Sequence, residues 1–219
     1  MKEIKGLLFD LDGVIVDTAK YHYLAWKELA AELLIPFNQK DNERLKGVSR
    51  MKSFEIILEI GNVEMSEEQK EKYCAKKNQV YLEYIYKLRE EEILPGVNKF
   101  LRDARDKGYK LALGSASKNA GLILSKLKLT EAFDAVIDGT KTEKAKPDPE
   151  VFLLGAKELG FSKEACIVFE DAKAGIEAAH NGGMTAVGIG TKENLPNADI
   201  CISGFEDISI EEILKQLNY

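Results

Sequence analysis

Short apolar runs separated by helical patterns confine this chain to a narrow set of folds. Ile4–Phe9, Lys110–Gly114, Ala135–Ile137, Cys166–Phe169, Thr185–Ile189 and Ile200–Ser203 are too short for independent helices, and they are apolar nearly throughout instead of alternating. That is the pattern of strands buried on both faces of a parallel sheet. Helical patterns at Val97–Lys107, Ala120–Leu127, Pro149–Leu159 and Ala174–Asn181 separate most of them, and Gly108, Gly160 and Gly182 follow as C-terminal stops. The alternation predicts an α/β fold: a doubly wound (Rossmann-like) parallel sheet with right-handed crossovers.

One segment breaks the alternation. Between about Thr18 and Ile93 the patterns are helical only. A first helix over Ala19–Leu34 carries His22, Trp26, Leu29 and Leu33 along one face. A second runs over Arg50–Ile60 and stops at Gly61. Ser66 and Gln69 form a capping box that starts a long helix reaching about Arg89. Its apolar stripe is read as Tyr73, Val80, Tyr84 and Leu88, with Lys77 inside it. Pro95-Gly96 marks the return to the sheet. The expected division is 1–16 with 94–219 as the core domain and 17–93 as an inserted α-helical cap.

Composition excludes several roles. The 219 residues carry a net charge of −6 and a pI near 5.2, a poor balance for wrapping a nucleic-acid backbone. No apolar run is long enough to cross a bilayer. Lys2, Glu3 and Lys5 interrupt the opening residues in a way unlike a secretory leader. Cys74, Cys166 and Cys201 are odd in number and far apart, as expected of reduced thiols. The expectations are a cytoplasmic monomer with small-molecule partners, no nucleic acid and no membrane.

Phe9-Asp10-Leu11-Asp12-Gly13-Val14-Ile15-Val16-Asp17-Thr18 is the most informative string. Two aspartates at alternate positions stand where an apolar strand ends. On a continuing strand both carboxylates would share a face, at the end where α/β folds place ligands. Solvated turn aspartates before a glycine are the plain alternative. Three further strand ends carry polar groups: Ser115 in Gly114-Ser115-Ala116-Ser117-Lys118-Asn119, Lys146 in Ala145-Lys146-Pro147-Asp148-Pro149, and the acid pair Glu170-Asp171. Taken singly these read as a helix cap, an exposed lysine and surface acids. Their order along the chain is the specific signal.

In that order the chain resembles the phosphotransferases of the haloacid dehalogenase (HAD) superfamily. The resemblance covers nearly the whole chain and implies a HAD core with a helical cap. It implies that Asp10 is the nucleophile that carries an aspartyl-phosphate, and that Asp12 is the general acid/base. Ser115 would bind the transferring phosphoryl group, and Lys146 would lie between Asp10 and that group, followed by a peptide bond to Pro147 that is often cis. One Mg²⁺ per chain would be held by Asp10, Asp12 (through its backbone carbonyl), Glu170 and Asp171, a hard-oxygen set suited to that ion.

The cap is similar to that of the superfamily's sugar-phosphate mutases. His22, with Thr18, would couple the cap to the acid/base near the hinge. Trp26, Lys46, Gly47, Val48, Ser49, Arg50, Ser53 and Lys77 would bind the sugar and its non-transferring phosphate, together with Ser115, Ala116, Ser117, Lys118 and Asn119. The implied activity interconverts β-glucose 1-phosphate and glucose 6-phosphate through a bisphosphorylated sugar that is both intermediate and primer. A sugar-phosphate phosphatase would use the same core with water as acceptor. A hydrolytic dehalogenase would lack the second aspartate, Asp12. A non-catalytic binding protein would lack one of the catalytic groups.

Overall fold

The computed structural model describes residues 3–45 and 48–219. Its strands are β1 (Gly6–Phe9), β2 (Lys110–Gly114), β3 (Ala135–Ile137), β4 (Cys166–Glu170), β5 (Thr185–Ile189) and β6 (Ile200–Ile202), in one sheet of order β3-β2-β1-β4-β5-β6. Every pairing is parallel. The helices are α1 (Ala19–Glu32), α2 (Gln39–Asn42), α3 (Arg50–Gly61), α4 (Glu67–Ile85), α5 (Val97–Asp106), α6 (Ala120–Lys126), α7 (Glu150–Leu159), α8 (Lys173–Asn181) and α9 (Ile210–Gln216). The chain steps from β1 through β2 to β3, then returns across β1 to build β4, β5 and β6. β1 therefore stands at the switch point, where open α/β sheets bind ligands beyond their carboxyl ends.

The two sides of the sheet fix where the polar groups emerge. On one side the rings of Phe9 and Phe169 stack at 4.7 Å, with Phe100, Phe133 and Phe205 around Phe9. On the other, Leu8, Ala112 and Val168 form a cluster with Val151, Phe152 and Ala156 of α7 and with Ile176 and Ala179 of α8. Strand side chains repeat every second residue. The next positions in phase with Leu8 and Val168 are Asp10 and Glu170, so the pleat carries both carboxyl groups to the α7/α8 side.

The molecule divides into two compact units, 1–17 with 89–219, and 18–88. The expected boundaries were 17 and 94. The return segment joins the core unit earlier because a 3-10 turn at Glu90–Glu92 leads into a bridge between Ile93 and Val16. In the helical unit, Trp26, Leu29 and Ala30 of α1 meet Phe54, Ile57 and Leu58 of α3 and Cys74 of α4 in one apolar cluster. Both bonds of the Ser66–Gln69 capping box form.

Several local expectations are corrected. α4 ends at Ile85 and not near Arg89, because Glu90, Glu91 and Glu92 place like charge beside the negative end of a helix dipole. Its buried face is Cys74, Lys77, Tyr81 and Ile85, one step away from the expected Tyr73–Val80–Tyr84 stripe; both spacings suit a helix. At the end of α3 the left-handed residue is Asn62, with φ 49°, and not Gly61. Gly61 is a packing residue, since a Cβ there would stand 2.5 Å from Ile35 Cγ1. At the end of α8 the positive φ belongs to Gly183, not Gly182. α9, opened by a Ser209–Glu212 capping box, is an element beyond those expected.

Leu34 follows α1 with φ 58° and 90% of its surface exposed. A branched residue in the left-handed region is strained and here gains little from burial. Leu34→Gly is expected to raise stability by about 1 kcal/mol, read as a higher urea midpoint at unchanged m-value.

Candidate active site

In the core unit, Lys146 ties three strand ends together. Its Nζ donates to Asp10 Oδ1 at 2.5 Å, to Glu170 Oε1 at 2.6 Å and to the Gly114 carbonyl at 3.2 Å. The carboxyl ends of β1, β2 and β4 thus meet on one ammonium. Phe152 of α7 presents its ring face to the same Nζ at 4.7 Å. Asp10, Lys146 and Glu170 are all buried. The Lys146–Pro147 peptide is cis.

Burial works against the charge on Lys146, but the carboxylates of Asp10 and Glu170 outweigh it and hold the ammonium well above the ordinary lysine range. Two buried carboxylates are set against that one ammonium, so the cluster favours an added positive charge. Glu170 is fully committed. Its Oε1 takes Lys146, and its Oε2 accepts from the Ala172 backbone N–H at 2.8 Å.

β1 stops at Phe9, so Asp12 does not lie on a continuing strand as expected. The Asp10 N–H still donates to the Phe169 carbonyl at 2.9 Å, and the chain then turns, with Ile15 N–H bonded to the Leu11 carbonyl and Gly13 N–H to that of Val16. Gly13 adopts φ +86°, and a Cβ on it would stand 2.2 Å from Asp171 Oδ2. Glycine at this position lets the Asp171 carboxylate rest against the loop that carries Asp10 and Asp12.

Ser115 is buried at the end of β2. Its Oγ accepts from Ser117 N–H at 3.1 Å, and Ser117 Oγ accepts from Asn119 N–H at 3.2 Å. A Cβ on Gly139 would stand 2.4 Å from the Ala116 carbonyl and 3.1 Å from Lys118 Cγ, so the 115–119 loop lies directly on the loop after β3.

Four acids around a common ion were expected. Among the described residues no group of three or more His, Cys, Asp and Glu side chains is disposed to hold a metal. The Lys146 ammonium takes the space between Asp10 and Glu170. The remaining donors nevertheless suit Mg²⁺, which keeps several waters and needs few protein oxygens. Asp10 and Asp171 would supply carboxylates to such an ion, and Asp12 a backbone carbonyl.

In the helical unit, Lys77 is buried within the apolar stripe of α4. Its Nζ stands 2.7 Å from His22 Nδ1, over the rings of Trp26 at 4.8 Å and Tyr81 at 4.6 Å. The His22 and Tyr81 rings are 4.1 Å apart. An ammonium can donate to Nδ1 only if that nitrogen is unprotonated, which makes His22 a neutral imidazole with its proton on Nε2. Dense surroundings first, then Lys77 and Arg50, hold the His22 pKa well below its usual value. Arg50 donates to Asn78 Oδ1 at 2.8 Å, and burial lowers its own pKa. Ser49 caps α3 through Lys52 N–H, and Ser53 Oγ donates to the Ser49 carbonyl. Val48 packs against the apolar cluster of this unit. Thr18 is fully buried, and its hydroxyl has no hydrogen-bond partner among the described residues. Lys46 and Gly47 lie outside the described residues. Residues not singled out from sequence include Tyr81 and Phe152, whose rings face the Lys77 and Lys146 ammonium groups.

The depressed pKa of His22 has a thermodynamic consequence. Unfolded, the ring takes a proton near pH 6.5; folded, it resists until lower pH. Stability present above about pH 6.5 is therefore lost progressively as pH falls toward the folded value. Thermal midpoints of the wild type should drop over this window relative to those of His22→Gln, whose side chain does not titrate.

A family model described as haloacid dehalogenase-like hydrolase matches residues 4–183. The chain is 42% identical to β-phosphoglucomutase of Bacillus subtilis over 95% of this chain and 93% of that protein. It is 31% identical to the fructose-1-phosphate phosphatase YqaB of Escherichia coli, over 84% of this chain and 95% of that one. Among solved structures, β-phosphoglucomutase from Clostridium difficile superposes with a TM-score of 0.94 at 42% identity, covering 98% of this chain and 97% of that chain.

Proposed function

Because the chain belongs to the haloacid dehalogenase-like hydrolase family, we propose that it is a Mg²⁺-dependent mutase that interconverts β-glucose 1-phosphate and glucose 6-phosphate. The observation that carries phosphoryl transfer is Lys146, held between Asp10 and Glu170 at the carboxyl ends of neighbouring strands. The choice of mutase over phosphatase rests on 42% identity to a β-phosphoglucomutase over nearly the full length of both chains, against 31% for the sugar phosphatase.

Asp10 is the nucleophile. Its free carboxylate oxygen attacks phosphorus of a bisphosphorylated sugar, the bond from phosphorus to the sugar oxygen breaks, and Asp12 gives that oxygen a proton. The sugar leaves as glucose 6-phosphate. In the other half-reaction Asp12 takes the proton from the 6-hydroxyl of an incoming β-glucose 1-phosphate, whose oxygen attacks the phospho-aspartate, so that the bond from Asp10 to phosphorus breaks and the bisphosphorylated sugar and Asp10 are regenerated. Lys146 offsets the repulsion between Asp10 and the incoming phosphoryl oxygens, and Ser115 donates to one of them. Asp10, Asp171 and the Asp12 carbonyl would hold the Mg²⁺, which when bound neutralises charge on the transferring group. Glu170 anchors Lys146 through one oxygen and the Ala172 N–H through the other. Thr18 and His22 set the position of the acid/base. Trp26, Lys46, Gly47, Val48, Ser49, Arg50, Ser53 and Lys77, with Ala116, Ser117, Lys118 and Asn119, recognise the sugar and its non-transferring phosphate. Arg50 suits the phosphate because its planar fork can donate twice.

Phosphorus NMR of the protein with Mg²⁺ and β-glucose 1-phosphate, with and without a bisphosphate primer, tests this. Glucose 6-phosphate should accumulate, faster with primer. Inorganic phosphate released without any isomer would establish the phosphatase reading instead.

A further inference from the structure

Gly175 is the third residue of α8, in the first turn, and glycine is a poorer helix former than alanine. Its φ lies outside the left-handed region, so backbone conformation does not demand glycine there. Its surroundings do. A Cβ at this position would stand 1.7 Å from Glu170 Oε1, 1.9 Å from Glu170 Cδ and 2.5 Å from Glu170 Cγ. The missing side chain leaves the volume that the Glu170 carboxylate occupies.

Glu170 has no room to move aside. It is 0% exposed, and its two oxygens are fixed by Lys146 Nζ and the Ala172 N–H. The α8 backbone is equally constrained, since Ile176 and Ala179, which follow Gly175 along the helix, pack into the core cluster on this side of the sheet. Ala172, at the start of α8, offers no side-chain cap, so Glu170 also serves the helix by binding the Ala172 N–H. Glu170 holds one side of the Lys146 ammonium and Asp10 holds the other.

We infer that Gly175 is a positioning residue for phosphoryl transfer: by lacking a side chain it seats Glu170, which in turn aims Lys146 at Asp10. The inference rests on the phosphoryl-transfer reading of Asp10 but not on the choice of acceptor. Gly175→Ala should improve local helix propensity and yet displace the carboxylate, shifting Lys146 by an ångström or so. A misplacement of that size lowers turnover by about a hundredfold.

The test compares wild type and Gly175→Ala with β-glucose 1-phosphate, bisphosphate primer and Mg²⁺, following whichever product the wild type forms. The nitrogen-15 NMR signal of the Lys146 ammonium is recorded in the metal-free proteins as a readout that a purely structural substitution would leave in place. The expected result is a folded variant with KM nearly unchanged, kcat reduced by about tenfold or more, and a shifted or lost Lys146 signal. A smaller loss of kcat, or an unmoved Lys146 signal, overturns the inference. If Gly175→Ala does not fold, the double variant Gly175→Ala/Glu170→Asp decides. Recovered folding supports the assigned clash, because the shorter acid withdraws from the new methyl group, and continued failure to fold overturns it. A wild type that only hydrolyses its substrate removes the mutase reading and leaves the comparison at Gly175 intact.

Discussion

Asp10→Asn is expected to reduce phosphoryl transfer by about four to six orders of magnitude, the range seen when a covalent nucleophile is removed from a pre-organised site. The amide keeps the shape of the carboxylate but cannot attack phosphorus at a useful rate. It also removes one of the two negative partners of Lys146, so the lysine pairs with Glu170 alone. The variant should fold, and it should take up no hydroxylamine-sensitive phosphate when mixed with a bisphosphorylated sugar and Mg²⁺. Radiolabel from the donor retained on Asp10→Asn after denaturation at neutral pH would show that another residue carries the phosphoryl group.

Lys146→Met is expected to lower stability by about 3–5 kcal/mol, the penalty for leaving a buried ion pair without one partner, and to abolish turnover. The methionine fills the same volume, but Asp10 and Glu170 are then buried like charges with no cation between them. Burial and the Asp10 charge already push the Glu170 carboxyl upward, and Lys146 pulls it down. Without the lysine the folded-state pKa lies above the unfolded one, so the native state binds the extra proton. The deficit relative to wild type should be full above the folded value and shrink as pH falls through it. Urea unfolding near pH 8 and near pH 5 measures this. Adding Glu170→Gln should recover part of the loss at the higher pH, and a deficit that is the same at both pH values would rule out the charge explanation.

The strand ends that carry chemistry were legible in the sequence because a parallel strand buried on both faces is an unbroken apolar run, and the first polar residue after it marks its exit from the core. Asp10, Ser115 and Glu170 each sit at such an exit, and the structure brings Asp10, Lys146 and Glu170 onto common hydrogen bonds. What lay beyond the sequence depends on contacts between distant segments. The commitment of Glu170 to Lys146 and Ala172 follows from the turn between β4 and α8, which local pattern does not encode. The role of Gly175 is invisible for the same reason, since a lone glycine near a helix start reads as a weak helix position. Gly61 and Asn62 exchange roles because Ile35 packs against the glycine. In α4, Tyr73–Val80–Tyr84 and Cys74–Tyr81–Ile85 fit the helical period equally well, and only the burial of the second face distinguishes them. Ser209-x-x-Glu212 was a readable start signal for α9, but its helix is short.

The placement of β1 also sets the order in which the molecule can be assembled on the ribosome. Its strand neighbours are β2 and β4, so the segment that emerges first waits for Lys110–Gly114 and then for Cys166–Glu170 before its edges are paired. The helical unit is continuous in sequence and draws on local contacts that form early. A nascent chain that ends before Glu170 therefore holds every residue of its cap, while Lys146 still lacks one of its two carboxylate partners and β1 one of its two strand neighbours.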